Sequence, residues 1–257
     1  MISENEWPHD FQFDTLNYHE QRKVVMVWAK QLADRLPFDM FHALRHDYST
    51  YVTFSEQVAL LNTNVAIKAA VQYSLFGGCV ANLGTDRHHQ LMKDLAQLKL
   101  LGSFGMTEKG HGSNVRGIET TATYDKTTRE FVVNTPHVKA MKTWIGGSGF
   151  AHMSAVFANL IIDGQNKGVH VFLVPLRDQK GTVLPGVFVE DCEYKLGLNG
   201  IDNMSFGFKN VRIPRVNLLN RFSDVTEDGR YVCQYPEAKH FGMTVGELSG
   251  GRLTLSG

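Results

Sequence analysis

Apolar residues recur at helical spacing through the first hundred residues and in short, β-rich runs through most of the remaining chain. Val24, Trp28, Leu32 and Leu36 fall four residues apart with Val25 beside them. That stripe predicts a helix over about 19–36, ended by Pro37. Asn62 to Leu83 is longer and largely apolar, through Val65, Ala66, Ala69, Ala70, Tyr73 and Phe76. So few charges predict a mostly buried helix, interrupted at Gly77-Gly78 and closed by Gly84. Thr85 or Asp86 can cap a following helix whose apolar face is Leu91, Leu95 and Leu98.

Near Leu100 the period changes. Ile118 to Tyr124 is rich in β-branched residues, Asp125 to Thr128 reads as a turn, and Phe131-Val132-Val133 comes next, which predicts a hairpin. Val138 to Trp144, Met153 to Ile162, Val169 to Val174, Val187 to Val189 and Met204 to Phe208 are further candidate strands. Asp163-Gly164, Asn166 and Gly168 separate two of them. Short strands between turn signals imply an antiparallel barrel or sandwich. Another helix is expected from about Ala238. The chain is therefore expected to be α+β. A helical N-terminal domain spans 1–100, a β-barrel or sandwich middle domain 101–225, and a linker with only the start of a C-terminal helical bundle 226–257. Gly250-Gly251 near the end, with Leu253 and Leu255 lacking partners, reads as a truncation of a larger architecture.

Composition narrows the function classes. With 257 residues, 43% hydrophobic, the chain can bury a sizeable core. Lys+Arg and Asp+Glu both number 26, and no Lys/Arg-rich run occurs, so charge gives no reason to expect nucleic acid or an acidic membrane surface. Cys79, Cys192 and Cys233 are scattered and form no CxxC pair, which fits a reducing compartment rather than a disulfide framework or a zinc cluster. No apolar run reaches the roughly 20 residues of a membrane span. The N-terminus MISENEWPHD lacks the basic and apolar regions of a secretory signal. His88-His89 reads as an exposed helical pair rather than a metal site, and no metal is expected.

Two stretches carry candidate chemistry. Gly105-Met-Thr-Glu-Lys-Gly-His-Gly-Ser-Asn114 holds three glycines and several small polar residues. Such a loop lets backbone N–H groups approach a ligand. It has neither the βαβ setting of a dinucleotide fingerprint nor the Gly-Lys-Ser/Thr of a phosphate loop. Lys139-Ala-Met-Lys-Thr-Trp-Ile-Gly-Gly-Ser-Gly149 places a tryptophan at a strand end before two glycines, offering a flat face and open backbone to a planar ring. Taken singly, the first also fits an ordinary turn and the second a core tryptophan capped by a loop.

The two stretches occur in order with Pro175, Lys195-Leu-Gly-Leu-Asn-Gly-Ile-Asp-Asn203 and Val211-Arg-Ile-Pro-Arg215. That sequence of motifs over roughly 85–220 closely resembles the acyl-CoA oxidases, a branch of the acyl-CoA dehydrogenase superfamily. The run Gly110 to Asp125, GHGSNVRGIETTATYD, points to the oxidase branch, whereas Thr143-Trp144-Ile145-Gly146 is nearer the dehydrogenase pattern. The resemblance makes 101–225 the flavin-binding domain. It implies that Thr107, with Met106 beside it, and Gly146, with Trp144 packed near the ring, contact FAD. It places Ser113 and Asn114 near the acyl-CoA channel. It also implies oxidation of fatty acyl-CoA to trans-2-enoyl-CoA, with O2 giving H2O2, in a peroxisomal homodimer. The terminal Leu-Ser-Gly is not a peroxisomal address.

The proton-abstracting glutamate of the family lies in the C-terminal bundle, so no catalytic residue is expected here. Glu108 reads as a solvated or salt-bridged structural carboxylate, Glu247 as a poor candidate base, and Arg212 and Arg215 as braces at a strand exit. The chain alone is expected to bind FAD weakly and not to oxidise acyl-CoA. The alternatives are a non-catalytic oxidase-like protein that binds ligand or pairs with a relative, and a fragment with no separate role.

Overall fold

The computed structural model describes residues 10–246. Gly250-Gly251, Leu253, Leu255, Glu247, the terminal Leu-Ser-Gly and all but the last residue of the polar N-terminus lie outside the described residues.

The first part is helical: α1 (Asp10–Asp14), α2 (Tyr18–Arg35), α3 (Met40–His46), α4 (Tyr48–Leu61), α5 (Thr63–Ala70), α6 (Gly77–Leu83), α7 (Asp86–His89) and α8 (Met92–Ala96). Asn17 starts α2 with a capping box, its side chain accepting from the backbone N–H of Glu20 while Glu20 reaches back. Of the predicted stripe Val25 and Trp28 are buried and Val24 and Leu32 half-buried, with Ala29 buried beside them, and Leu36 caps the end before Pro37. The helix predicted from Asn62 to Leu83 forms without a break at Gly77-Gly78. Its irregularity lies earlier, where Val71–Phe76 winds as a π-helix between α5 and α6. Gly77 stays helical because its role is steric. A Cβ there would stand 2.4 Å from the Phe41 ring.

The second part is β: β1 (Gly102–Gly105), β2 (Thr121–Asp125), β3 (Glu130–Asn134), β4 (Lys142–Ile145), β5 (Met153–Ile162), β6 (Gln165–Pro175), β7 (Val187–Asp191), β8 (Met204–Phe208), β9 (Val211–Pro214), β10 (Ser223–Val225) and β11 (Tyr231–Cys233). The helix α9 (Glu237–Val245) comes last. The β2–β3 and β5–β6 hairpins form as their turn residues predict. Val138 to Trp144 does not form one strand: Val138–Ala140 is a 3-10 turn, and only Lys142–Ile145 is extended.

The expected α+β order of helices followed by a β domain holds, but the strands are not all antiparallel, because the larger sheet is mixed. β5 runs antiparallel to β6, yet parallel to β1 (Gly102 opposite Met153) and to β2 (Thr121 opposite Asn159). The β2–β3 hairpin and β4 intervene between β1 and β5. That crossover is long enough to return the chain in the same direction. β3 continues this sheet to β9, while β4, β8 and β7 form a separate antiparallel sheet.

One core lies between the sheets, around Phe131, Val156, Phe172, Phe206 and Phe208. Phe131 and Phe172 meet edge to face at 5.0 Å. A second core joins sheet to helices through Phe76, Leu83, Leu95, Phe104 and Phe157. Gly102 allows that junction, since a Cβ there would fall 1.7 Å from the Phe76 ring. Gln72 fastens it, donating to the carbonyls of Leu95 and Leu100 and accepting from the Gly102 N–H at 2.9 Å.

One surface reading changes and another holds. His88 is buried, not exposed: its Nδ1 accepts from the Thr85 N–H, so Nε2 carries the proton and donates to the Val216 carbonyl at 2.8 Å. Burial keeps it below the usual histidine range. Arg212 braces its strand by reaching Asp125 and Glu130, and Arg215 donates to the Val225 carbonyl.

Candidate flavin-facing site

A cavity of about 430 Å³ opens where the π-helix, the end of β1, β4 and the loop 195–203 converge. Val71 and Leu75 supply its helical wall. Phe104, Met106 and Thr107 enter from β1 and the turn beyond, and Trp144, Ile145 and Gly146 from the end of β4 and the turn after it. Lys195, Leu198, Ile201 and Asn203 close the remaining side. The structure thus brings Met106, Thr107, Trp144 and Gly146 to one cavity. Ser113 and Asn114 are not among its lining residues and sit on the exposed loop after β1.

The strand side of the cavity is tightly made. The Thr143 N–H donates to the Thr107 carbonyl at 3.0 Å and the Lys109 N–H to the Met141 carbonyl at 2.9 Å. The turn carrying Thr107 therefore runs antiparallel to β4. Beneath it sits an ion pair with neither side chain exposed, Lys142 Nζ to Glu108 Oε1 at 2.9 Å. Glu108 is the structural, salt-bridged carboxylate its position suggested, and it is not solvated.

Trp144 has left-handed backbone, φ 60°, yet carries an indole that is 58% exposed. A bulky residue in that region costs about 1–2 kcal/mol and persists only where its surroundings enforce it. Asn203 helps by donating Nδ2 to the Trp144 carbonyl. Leu198, φ 57°, is a second strained and exposed residue on the same cavity. Strain and exposed apolar surface here coincide.

Gly146 differs from Gly102. A Cβ at Gly146 would make only ordinary contacts with Ile201 at 3.5 Å and Val71 at 3.6 Å, and its φ is not left-handed. The fold therefore does not require glycine there, and what the missing side chain preserves is cavity space. No hydrogen bond to the Thr107 hydroxyl is formed by the described residues. An open backbone, a free hydroxyl and an aromatic face suit a planar polar ring such as a flavin.

The opposite rim is held differently. Lys68 of α5 pairs with Asp202 at 2.6 Å, and Asp202 also accepts from the Phe150 N–H. Asn64 Oδ1 accepts from the Gly200 N–H, and Lys195 Nζ donates to the Ile201 carbonyl. Burial lowers the Lys195 ammonium, with Arg22 adding repulsion. Farther back, Arg22 of α2 grips Asp191 of β7 through two hydrogen bonds of 2.6 and 2.9 Å. Neither buried lysine was identifiable as a site residue from sequence. The signal for Lys68 was a lone charge inside the apolar run Ile67-Lys68-Ala69, whereas Lys142 stands beside Thr143 and three residues after Lys139 and gave none.

Two other clusters stand out. Glu108, His111 and Glu119 bring possible metal-ligating atoms within 4.8 Å of one another. Glu108 there is already committed to Lys142, Thr120 and backbone N–H groups. A wider groove of about 670 Å³ lies on the helical face among His42, Arg45, His46, His89 and Lys93, lined by none of Met106, Thr107, Trp144 or Gly146.

A helical front, a curled mixed sheet and a cavity between them define a protein of the acyl-CoA dehydrogenase class. Residues 103–211 match the acyl-CoA dehydrogenase middle domain. The chain belongs to the acyl-CoA oxidase family. It is 46% identical over 226 residues to the peroxisomal acyl-coenzyme A oxidase 2 of Arabidopsis thaliana, covering 84% of this chain and 33% of that protein. The crystal structure of acyl-CoA oxidase 3 from Yarrowia lipolytica superposes with TM-score 0.80 at 35% identity, covering 95% of this chain and 34% of that one. Acyl-CoA oxidase-2 of Caenorhabditis elegans, solved with FAD, ascaroside-CoA and ATP, superposes with TM-score 0.68 at 31% identity, covering 89% and 38%. The chain spans about a third of the length of the curated relatives it matches. Among the described residues no helix is long and apolar enough to cross a membrane.

Proposed function

We propose that this chain forms the FAD-facing part of a peroxisomal acyl-CoA oxidase of fatty acid β-oxidation. The division into a helical domain (1–100), a flavin-binding domain (101–225) and the beginning of a helical bundle (226–257) belongs to this reading. The observation that carries it is the convergence of Met106, Thr107, Trp144 and Gly146 on one cavity, with Gly146 leaving room that the fold itself does not need.

FAD bound there would supply the two-electron acceptor for oxidation of acyl-CoA to trans-2-enoyl-CoA, with O2 as the final acceptor giving H2O2. The residues of this chain orient and shield. The Thr107 hydroxyl offers a hydrogen bond to a polar edge of the ring, Trp144 a face, and Gly146 a close backbone approach. Met106, buried beneath, excludes water from that side. Fatty acyl-CoA would approach past the exposed loop that carries Ser113 and Asn114. Proton removal from the substrate is not assigned to a residue of this chain, and the family's glutamate base and homodimer would complete the enzyme.

The test is titration of the purified chain with FAD, read by visible absorbance and by quenching of flavin fluorescence. Saturable uptake, weakened by Thr107→Val, is the expected result. A chain that takes up acyl-CoA but no FAD would instead favour the non-catalytic, ligand-binding reading.

A further inference from the structure

We propose that Lys142 and Glu108 are positioning residues: a buried clamp that locks the Met106–Thr107 turn to β4 and holds Trp144 in its strained conformation. The inference rests on the flavin reading above for its functional meaning, but its structural content stands separately.

Lys142 spends all three of its protons inside the protein. Its Nζ donates to Glu108 Oε1 at 2.9 Å, to the Phe157 carbonyl at 2.7 Å and to the Met106 carbonyl at 3.3 Å. One ammonium thus ties the residue before Thr107 to the central strand β5. Glu108, directly after Thr107, accepts from the Glu119 N–H, the Thr120 N–H and the Thr120 hydroxyl, at 2.8, 3.0 and 2.6 Å. Thr107 therefore sits between two anchored neighbours. Its own carbonyl is free to pair with Thr143.

The same clamp bears on Trp144. Residues two apart on a strand face the same way. Lys142 and Trp144 break that rule, one fully buried and the other exposed. The pairing of β4 with β8 shifts register between Lys142 and Ile145, and the left-handed turn of Trp144 lies inside that shift. A backbone held away from its preferred basin needs both sides fixed. Asn203 fixes one side, and the Lys142 network fixes the other. Burial lowers the Lys142 ammonium to about 8, while the Glu108 carboxylate at 2.9 Å favours its charged form.

The proposal is tested with Lys142→Met, Glu108→Gln and the double variant, all in the full chain. Amide hydrogen exchange without ligand comes first. In Lys142→Met, the Thr143 and Lys109 amides should exchange at least about ten-fold faster than wild type, while β5–β6 amides change little. Acceleration of all amides by one common factor, or of none, would show a pair that serves global stability alone and would overturn the clamp. FAD titration and thermal unfolding come second. The double variant buries no unmatched charge, so its melting temperature should recover above both single variants. Its FAD affinity should stay at least about five-fold below wild type, because the Met106 anchor is gone. Affinity that recovers in step with stability would also overturn the proposal. Failure of the wild-type chain to take up FAD would count against the flavin reading, and hydrogen exchange would still decide the clamp.

Discussion

The two sides of the cavity are each tied down by a buried lysine and a carboxylate, but the ties differ in kind. Lys142 and Glu108 are wholly enclosed and make six hydrogen bonds, the ion pair included. Lys68 and Asp202 lie nearer the surface, 8% and 2% exposed, and hold a loop rather than a strand. Packed strands wall in the first tie, while the loop beside the second presents Leu196 and Leu198 to solvent. A buried pair is not by itself a source of stability, because desolvation offsets the attraction. What separates the two is how completely the remaining donors and acceptors are satisfied, and hence how much is lost when one partner goes.

The largest break in this comparison should come from Glu108→Ala. It strands a charged lysine with no route to water and is expected to cost about 3–5 kcal/mol in thermal or denaturant unfolding. Asp202→Ala should cost less, about 2 kcal/mol, because the Lys68 stem can carry its ammonium outward. Equal losses, or a larger loss at Asp202, would erase the distinction between the two sides.

Acid gives a probe remote from both sides. His170 on β6 packs against His240 of α9, ring centroids 4.5 Å apart, with Tyr231 and Ser223 as hydrogen-bond partners. Burial lowers His170 from 6.5 to about 3 and lowers His240 as well. The unfolded chain therefore binds these protons first. Stability is fully present above the unfolded histidine pKa of 6.5 and is lost as pH falls through it toward about 3, at most about 1.4 kcal/mol per pH unit from His170, with His240 acting in the same direction. Hydrogen exchange at about pH 5 should show α9 loosening before either side of the cavity, and the opposite order would place the weak point at the ion pairs.

Gly146→Ala sharpens the comparison from the strand side. Stability should move by no more than about 0.5 kcal/mol, since the added Cβ meets no close atom. On the proposed FAD reading, affinity should nonetheless drop on the order of ten-fold, because the methyl would occupy space assigned to the ligand. On the loop side Leu196→Ser should be nearly silent in unfolding, within about 0.5 kcal/mol, as befits a wholly exposed residue.

Much of this architecture was legible in the chain itself. The α2 stripe, the β2–β3 turn and the Met153–Ile162 strand arise from periodicity and turn chemistry, because each element satisfies its own local rules. Met106, Thr107, Trp144 and Gly146 could be named because their motifs resemble a family, not because spacing places them together. What escaped was set by distant partners. The parallel pairing of β5 depends on where the chain returns after β4. The burial of His88 depends on Val216, and Lys142 lies inside a run that reads as an ordinary strand. Gly77 shows the same limit: its sequence says helix breaker, and only the Phe41 ring explains why the helix passes through it.

The central strand β5 carries one further consequence, for the order of assembly. Its two parallel neighbours both precede it in the chain, and Gly102 must find Met153 across the whole β2–β4 segment. Such non-local closure slows folding and cannot begin until the later strand exists. On the ribosome, β1 and the hairpin β2–β3 would emerge with open edges, exposed to wrong pairing until Met153–Ile162 leaves the tunnel. The β5–β6 hairpin closes locally and quickly, so its formation is the event that gives those waiting edges a partner.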